Sequence, residues 1–191
     1  MLGRAPAKIS KWVAGANLFA LKKKDDSVRP VAAGDVTRRL VSKLCCLHCK
    51  EQASELLQPF QYGVGIKGGA EAVVHCSRAL LAQNPELASL QLDFRNAFNE
   101  VERAPILEEV GQHFPSILAW VSFCYGSPTK LHFRSKFLES SRGVQQGDPL
   151  GPLLFCLSIQ GIIHELKNFP SILQFWYMDD SLLLAPLQIW P

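Results

Sequence analysis

Asp179 and Asp180 stand side by side in an otherwise apolar stretch, with Phe175-Trp176-Tyr177-Met178 before them and Leu182-Leu183-Leu184 after. Like charges a few ångström apart repel, and neighbouring rings limit their hydration, so the pair calls for something positive. An isolated Asp-Asp pair is ordinary turn chemistry. Here a third carboxylate, Asp93, ends another alternating run, Leu90-Gln91-Leu92-Asp93. If both runs are strands of one sheet, the three carboxylates can converge on an all-oxygen site suited to Mg²⁺. Two such ions about 4 Å apart stabilise the attacking and leaving oxygens of phosphoryl or nucleotidyl transfer.

The rest of the charge is unevenly spread. Residues 1–50 carry 11 Lys/Arg against 3 Asp/Glu, and residues 51–191 carry 9 against 14. A basic leading stretch suits a polyanion such as a nucleic-acid backbone or a triphosphate, and an acidic body suits divalent cations. Cys46-Leu47-His48-Cys49 has C-x-x-C spacing, but no second ligand pair follows at the distance a zinc site needs. His75, His113, His132 and His164 are scattered, and Trp12, Trp120 and Trp190 read as packing residues.

These side chains need elements to hold them. Residues 17–24 and 28–31 read as a basic hairpin around Asp25-Asp26-Ser27. Asp35 is a plausible helix cap, and Val36, Leu40, Leu44 and Leu47 then repeat at helical spacing in a helix that should stop before Pro59. Four glycines in residues 61–69 mark a loop, and Ala70, Val73, Val74, Leu80 and Leu81 a second helix ending near Asn84-Pro85. Residues 87–94 alternate as a strand. Pro105 belongs in the first turn of a helix closing near Gly111, and residues 115–125 form another. Two short strands follow, near 130–134 and 135–138. Residues 143–151 make a glycine- and glutamine-bearing loop before an apolar helix over about 149–167, and residues 172–178 and 182–185 are two strands joined through Asp179-Asp180-Ser181.

A chain of 191 residues, 48% of them apolar, is long enough for a sizeable core. Its apolar runs fall short of the roughly 18 residues a membrane span needs, and no basic-then-apolar leader opens it. The expectation is an intracellular protein without membrane contact, its six cysteines reduced.

Tyr177-Met178-Asp179-Asp180 resembles the signature of reverse transcriptases, and the flanking blocks agree. Gln91-Leu92-Asp93-Phe94-Arg95-Asn96-Ala97-Phe98-Asn99 is similar to the family's first palm motif, and Gly143-Val144-Gln145-Gln146-Gly147-Asp148-Pro149-Leu150-Gly151-Pro152 to its second. Arg29-Pro30-Val31 through Arg38-Arg39-Leu40 resembles the fingers motifs of the non-LTR retrotransposon branch. Four motifs in the family's order form a specific pattern, where a tetrapeptide alone would be weak.

The resemblance implies an α+β, right-hand polymerase architecture with an antiparallel palm sheet packed on helices. Residues 1–85 would be a fingers-like basic lobe and residues 86–191 the palm. Asp93 and Asp179 would hold two Mg²⁺ ions, or Mn²⁺ in their place, with the Phe94 carbonyl helping and Asp180 as third carboxylate. Phe98 falls at the steric-gate position, where a ring under the sugar excludes a ribose 2′-hydroxyl. The amides of Asn96 and Ala97 match positions that contact the triphosphate, and Gln146 and Gly147 match positions lining the nucleotide pocket. Lys23 and Arg29 are the best candidates for gripping the triphosphate, with Lys22 and Lys24 close rivals.

The implied partners are an RNA template, a DNA primer and deoxynucleoside triphosphates. The sequence ends at Pro191, shortly after the carboxylate hairpin. A thumb would therefore come from a missing segment or a partner, and a remnant that only binds nucleic acid is the rival reading. An RNA-directed RNA polymerase uses a similar palm, but Phe98 disfavours it. Nuclear action is what resemblance to retrotransposon enzymes suggests.

Overall fold

The computed structural model describes residues 7–22, 24, 26, 28–169 and 172–190; Lys23 lies outside the described residues. In chain order the elements are α1 (Ala7–Val13), β1 (Ala16–Lys22), β2 (Val28–Gly34), α2 (Val36–Leu57), α3 (Gly69–Gln83), β3 (Leu87–Asp93), α4 (Ala97–Glu100), α5 (Arg103–His113), α6 (Pro115–Tyr125), β4 (Thr129–Phe133), β5 (Lys136–Ser140), α7 (Gly151–Ser158), α8 (Gln160–Leu166), β6 (Leu173–Tyr177) and β7 (Asp180–Pro186). This is an α+β chain. It divides into two compact units, Met1–Cys49 with Asn96–Ser158, and Lys50–Arg95 with Ile159–Pro191.

In the first unit β1 and β2 form an antiparallel hairpin, and β4 joins β1 in parallel through Ala16–Leu131 and Asn17–His132. The sheet order is β2-β1-β4-β5. Its core is helical: Ile106 and Val110 of α5, Ile117 and Val121 of α6, and Leu153, Leu154 and Phe155 of α7 are all buried. Pro115 opens α6, where its missing N–H costs nothing.

The second unit carries a three-stranded antiparallel sheet of order β3-β7-β6. Trp176, Leu184, Ala185 and Ile163 are its buried apolar centre. Residues 60–62 run alongside β6, with Trp176 N–H donating to Phe60 O and Tyr62 N–H to Trp176 O.

Four sequence expectations are corrected. The helix from Asp35 forms, and the Asp35 carboxylate accepts from Thr37 N–H at 2.9 Å as a cap does. However, Val36, Leu40, Leu44 and Leu47 are 56–75% exposed. The face turned inward bears Arg38, Ser42 and Cys49, and there Arg38 meets buried acceptors on Asp148, Gln145 and Ala14. The apolar helix expected over 149–167 is two helices interrupted at Ile159, where the Ser158 hydroxyl donates back to Phe155 O at 2.6 Å and competes with the helical ladder. The carboxylate hairpin turns at Met178-Asp179, so Asp180 and Ser181 already lie in β7. Trp12 sits on a helix that the periodicity did not reveal and is 55% exposed, so it is not a core residue. Trp120, by contrast, is buried, with its indole N–H on Ser42 Oγ.

Candidate active site

The second unit gathers the carboxylates. Asp93 is the last residue of β3 and lies directly across the ladder from Asp180, the first of β7. Directly opposed residues project from the same face with Cβ atoms roughly 5 Å apart. Asp179 is the adjoining turn residue, half-buried, whereas Asp93 and Asp180 are exposed. Among the described residues no three His, Cys, Asp or Glu side chains close into a ready-made metal cage. An open pair of opposed carboxylates nevertheless fits Mg²⁺, which is usually held by one or two carboxylates and completes its shell with water and substrate phosphate. Opposed like charges repel, and a cation between them would relieve that repulsion.

The turn that presents these groups has a support not apparent in the sequence. Met178 has φ 57°, the left-handed region that a side chain with a Cβ seldom adopts. Fully buried Gln61 holds it there. Its Oε1 accepts from Met178 N–H at 2.7 Å and from Gly63 N–H at 3.0 Å, and its Nε2 donates to Met178 O at 3.4 Å. Gly63 is required, since a Cβ there would lie 2.8 Å from Met178 N. The glycine-bearing stretch 61–69 thus braces the carboxylate turn. Beside Asp93, the Phe94 ring stacks on buried Trp176 at 6.2 Å and 16°, which fixes the backbone whose carbonyl the resemblance assigns to metal. Trp176 is itself tied down: its indole N–H donates to Gln174, and Gln174 Nε2 to Ile163 O.

The first unit holds the other expected residues. Asn96 is left-handed at φ 54° and precedes the single turn α4, in which Ala97 is buried and Phe98 half-buried. Phe98 stacks on Phe155 at 4.6 Å and 16°. One ring face is therefore occupied, and the gate position is also a packing position. The loop carrying Gln146 and Gly147 hangs from this turn, through Val144 N–H to Phe98 O at 2.7 Å and Gly143 N–H to Val101 O at 2.9 Å. Gly147 is pressed on β2, where a Cβ would overlap Ala32 O. Arg29 is exposed on the same strand. Of its rivals, Lys22 pairs with Asp26 at 2.5 Å on the surface, and Lys24 is exposed.

A buried ionic group fastens that loop. Arg38 and Asp148 pair at 2.9 Å with side chains 1% exposed. Arg38 also donates to Gln145 Oε1 at 2.7 Å and to Ala14 O, and Tyr125 O–H donates to Asp148 Oδ2 at 2.8 Å. Asp148 Oδ1 accepts from Leu150 N–H at 3.0 Å. Burial opposes the Arg38 charge, but Tyr125 and Asp148 outweigh it and leave the guanidinium pKa raised. Burial, then the Asp148 charge, push the Tyr125 phenol well above its ordinary value, so it stays a donor. Arg103 lies over the Tyr125 ring at 5.3 Å and donates to Gly143 O and Ser140 O. The C-x-x-C thiols pack here too. Burial first, then Asp148, raises Cys46 to about 11, and burial raises Cys49, so both are held as thiols.

Sequence reasoning missed Gln61, Arg38, Asp148 and Tyr125 as supports. Only Asp148, inside the second palm motif, and Arg38, inside the fingers block, carried a signal.

Residues 21–188 match the family model "Reverse transcriptase (RNA-dependent DNA polymerase)". The chain belongs to this reverse transcriptase family. It is 30% identical over 187 residues to the retrotransposable element SLACS 132 kDa protein of Trypanosoma brucei gambiense, covering 94% of this chain and 16% of that protein. It is 29% identical over 109 residues to the retrovirus-related Pol polyprotein from type-1 retrotransposable element R2 of Nasonia vitripennis, covering 49% of this chain and 10% of that one. This places it with reverse transcriptases of the non-LTR retrotransposon type. Among solved structures it is similar to telomerase from Candida albicans in complex with a fragment of telomeric RNA (TM-score 0.71, 13% identity, 97% of this chain and 40% of that one) and to apo telomerase from Candida tropicalis (TM-score 0.64, 9% identity, 97% and 41%). That likeness is one of fold and agrees with a fingers and palm architecture. Among the described residues no helix is long and apolar enough to cross a membrane.

Proposed function

We propose that this reverse transcriptase chain is the core of an RNA-directed DNA polymerase that adds deoxynucleotides to a primer 3′-hydroxyl on an RNA template. The observation that carries the reading is the opposition of Asp93 and Asp180 at the sheet end, next to Asp179 in a braced turn. Asp93, Asp179 and Asp180, with the Phe94 carbonyl, would hold two Mg²⁺ ions, or Mn²⁺ in their place. When bound, such ions make the attacking hydroxyl more acidic and balance charge on the departing pyrophosphate. The chain's own residues orient and select: Arg29 and Lys23 for the triphosphate, the Asn96 and Ala97 amides for its oxygens, Gln146 and Gly147 for the base and sugar, and Phe98 against the 2′-hydroxyl. The fingers-like lobe is taken as about residues 1–85 and the palm as 86–191. A thumb would come from a further segment or a partner, and the site of action would be nuclear.

Primer extension on an RNA template with Mg²⁺ and deoxynucleotides tests the reading. Asp179→Ala with Asp180→Ala should lower extension by at least about 10²- to 10³-fold while salt-dependent template binding persists. Equal extension by wild type and double variant would remove the carboxylates from the chemistry; binding without extension by either would leave a nucleic-acid-binding remnant.

Phe98 supplies a second check. Phe98→Ala should raise ribonucleotide incorporation relative to deoxynucleotide by roughly tenfold or more, the scale of a lost steric discrimination. A wild type that uses both sugars equally would exclude the gate.

A further inference from the structure

Trp12, on the last turn of α1, is 55% exposed, and Phe137, on β5, is 58% exposed. The two rings meet edge to face at 6.1 Å and 90°, and His132 of β4 lies 5.2 Å from Phe137 at 38°. Between them stands a cation: Lys130 Nζ is 4.1 Å from the Trp12 centroid and 5.2 Å from that of Phe137. With Asn17 and Asp35 these side chains line a cleft of about 210 Å³. Two exposed aromatics apart from one another would be unremarked on any surface, but here three rings and an ammonium share one depression.

The surroundings are basic. Exposed Lys8 and Lys11 flank Trp12 on α1, and exposed Arg134 and Lys136 lie at the tip of the β4–β5 hairpin. The only acidic residue on those elements is Glu139. The Asp35 carboxylate that lines the cleft is engaged by Thr37 N–H and hydroxyl at its helix start. Packing α1 on the hairpin accounts for contact between Trp12 and Phe137, but not for their half exposure or for the positive rim.

We propose that this cleft is a binding site for single-stranded nucleic acid, in which an unpaired base stacks on one exposed ring face of the Trp12–His132–Phe137 cluster while Lys130 and the rim cations contact the flanking phosphates. Stacking platforms edged by positive charge suit single strands because every base has a π-face, whereas a duplex hides its base faces. An acidic peptide would use the cations and leave the rings idle, so the rings favour a polynucleotide. The proposal rests on the polymerase reading for the presence of a template strand, but no residue of that reading lines the cleft.

The test uses the full chain, a labelled 12-mer oligouridylate and a blunt RNA–DNA duplex. Trp12→Ala should weaken oligouridylate binding by about tenfold and leave duplex binding unchanged, while Trp12→Phe stays within about twofold of wild type. Lys136→Glu, at an exposed hairpin position, should lower the salt dependence of oligouridylate binding by about one unit of slope. Unchanged oligouridylate affinity in Trp12→Ala, or an equal loss with the duplex, would overturn the site. If Trp12→Ala fails to fold by circular dichroism, an unchanged salt slope in Lys136→Glu overturns it instead. Normal primer extension combined with unaltered single-strand affinity removes this site alone. Tight oligouridylate binding that Trp12→Ala loses, in a chain that extends no primer, removes the polymerase reading and keeps the site.

Discussion

Arg38→Met is expected to lower the stability of the unit that contains it by about 3–5 kcal/mol, because it strands the Asp148 carboxylate in the interior. The side chains of the pair are 1% exposed, and Arg38 supplies hydrogen bonds to Asp148, Gln145 and Ala14 at once. Methionine fills the stem volume and returns none of them. Removing the second charge as well should recover much of the loss: Arg38→Met with Asp148→Asn is expected to be more stable than the two single effects added together, since neither group is then left charged without a partner. Urea midpoints of the two single variants and the double one decide this. A single-variant loss below about 1 kcal/mol would mean that water reaches the pair and that the loop is held by its backbone contacts alone.

Gln61→Leu is expected to act on rate and not on nucleic-acid affinity. Gln61 lies among the residues least accessible to solvent, and its amide serves both the N–H and the C=O of Met178. Leucine leaves those groups and Gly63 N–H without partners, so the left-handed turn relaxes and the neighbouring carboxylates shift. A displacement of about 1 Å in a catalytic group costs roughly a hundredfold in rate. Primer extension at saturating nucleotide should therefore fall by about that factor, with template affinity within about twofold of wild type. Gln61→Glu keeps an acceptor for Met178 N–H and Gly63 N–H and should retain more activity than Gln61→Leu. Extension at the wild-type rate by Gln61→Leu would exclude a positioning role.

These two residues also mark where sequence reading stops. The carboxylates were legible because alternation ends on Asp93, an acidic pair interrupts an aromatic strand, and strand pairing then forces them together. The boundaries of α3, α5 and α6 were legible from prolines, glycines and apolar spacing. The inward face of α2 was not. Periodicity weighs Leu40, Leu44 and Leu47 as core, whereas the actual orientation is decided by acceptors on residues 14, 145 and 148, which no local window contains. Gln61 is the same case, because its partner is 117 positions away and a glutamine before a glycine-rich loop reads as solvent-facing. The break at Ile159 turned on one serine hydroxyl choosing a carbonyl within its own helix.

The pairing of β3 with β7 brings together residues nearly ninety positions apart, Asp93 with Asp180. Closing so long a loop carries an entropic cost that only the finished ladder offsets, and distant strand pairings form slowly. On a ribosome, β3 emerges long before β7 and stays an open edge until then. The carboxylate pair therefore does not exist while the chain is short; it forms only once the strand bearing Asp180 has left the exit tunnel and docked on β3.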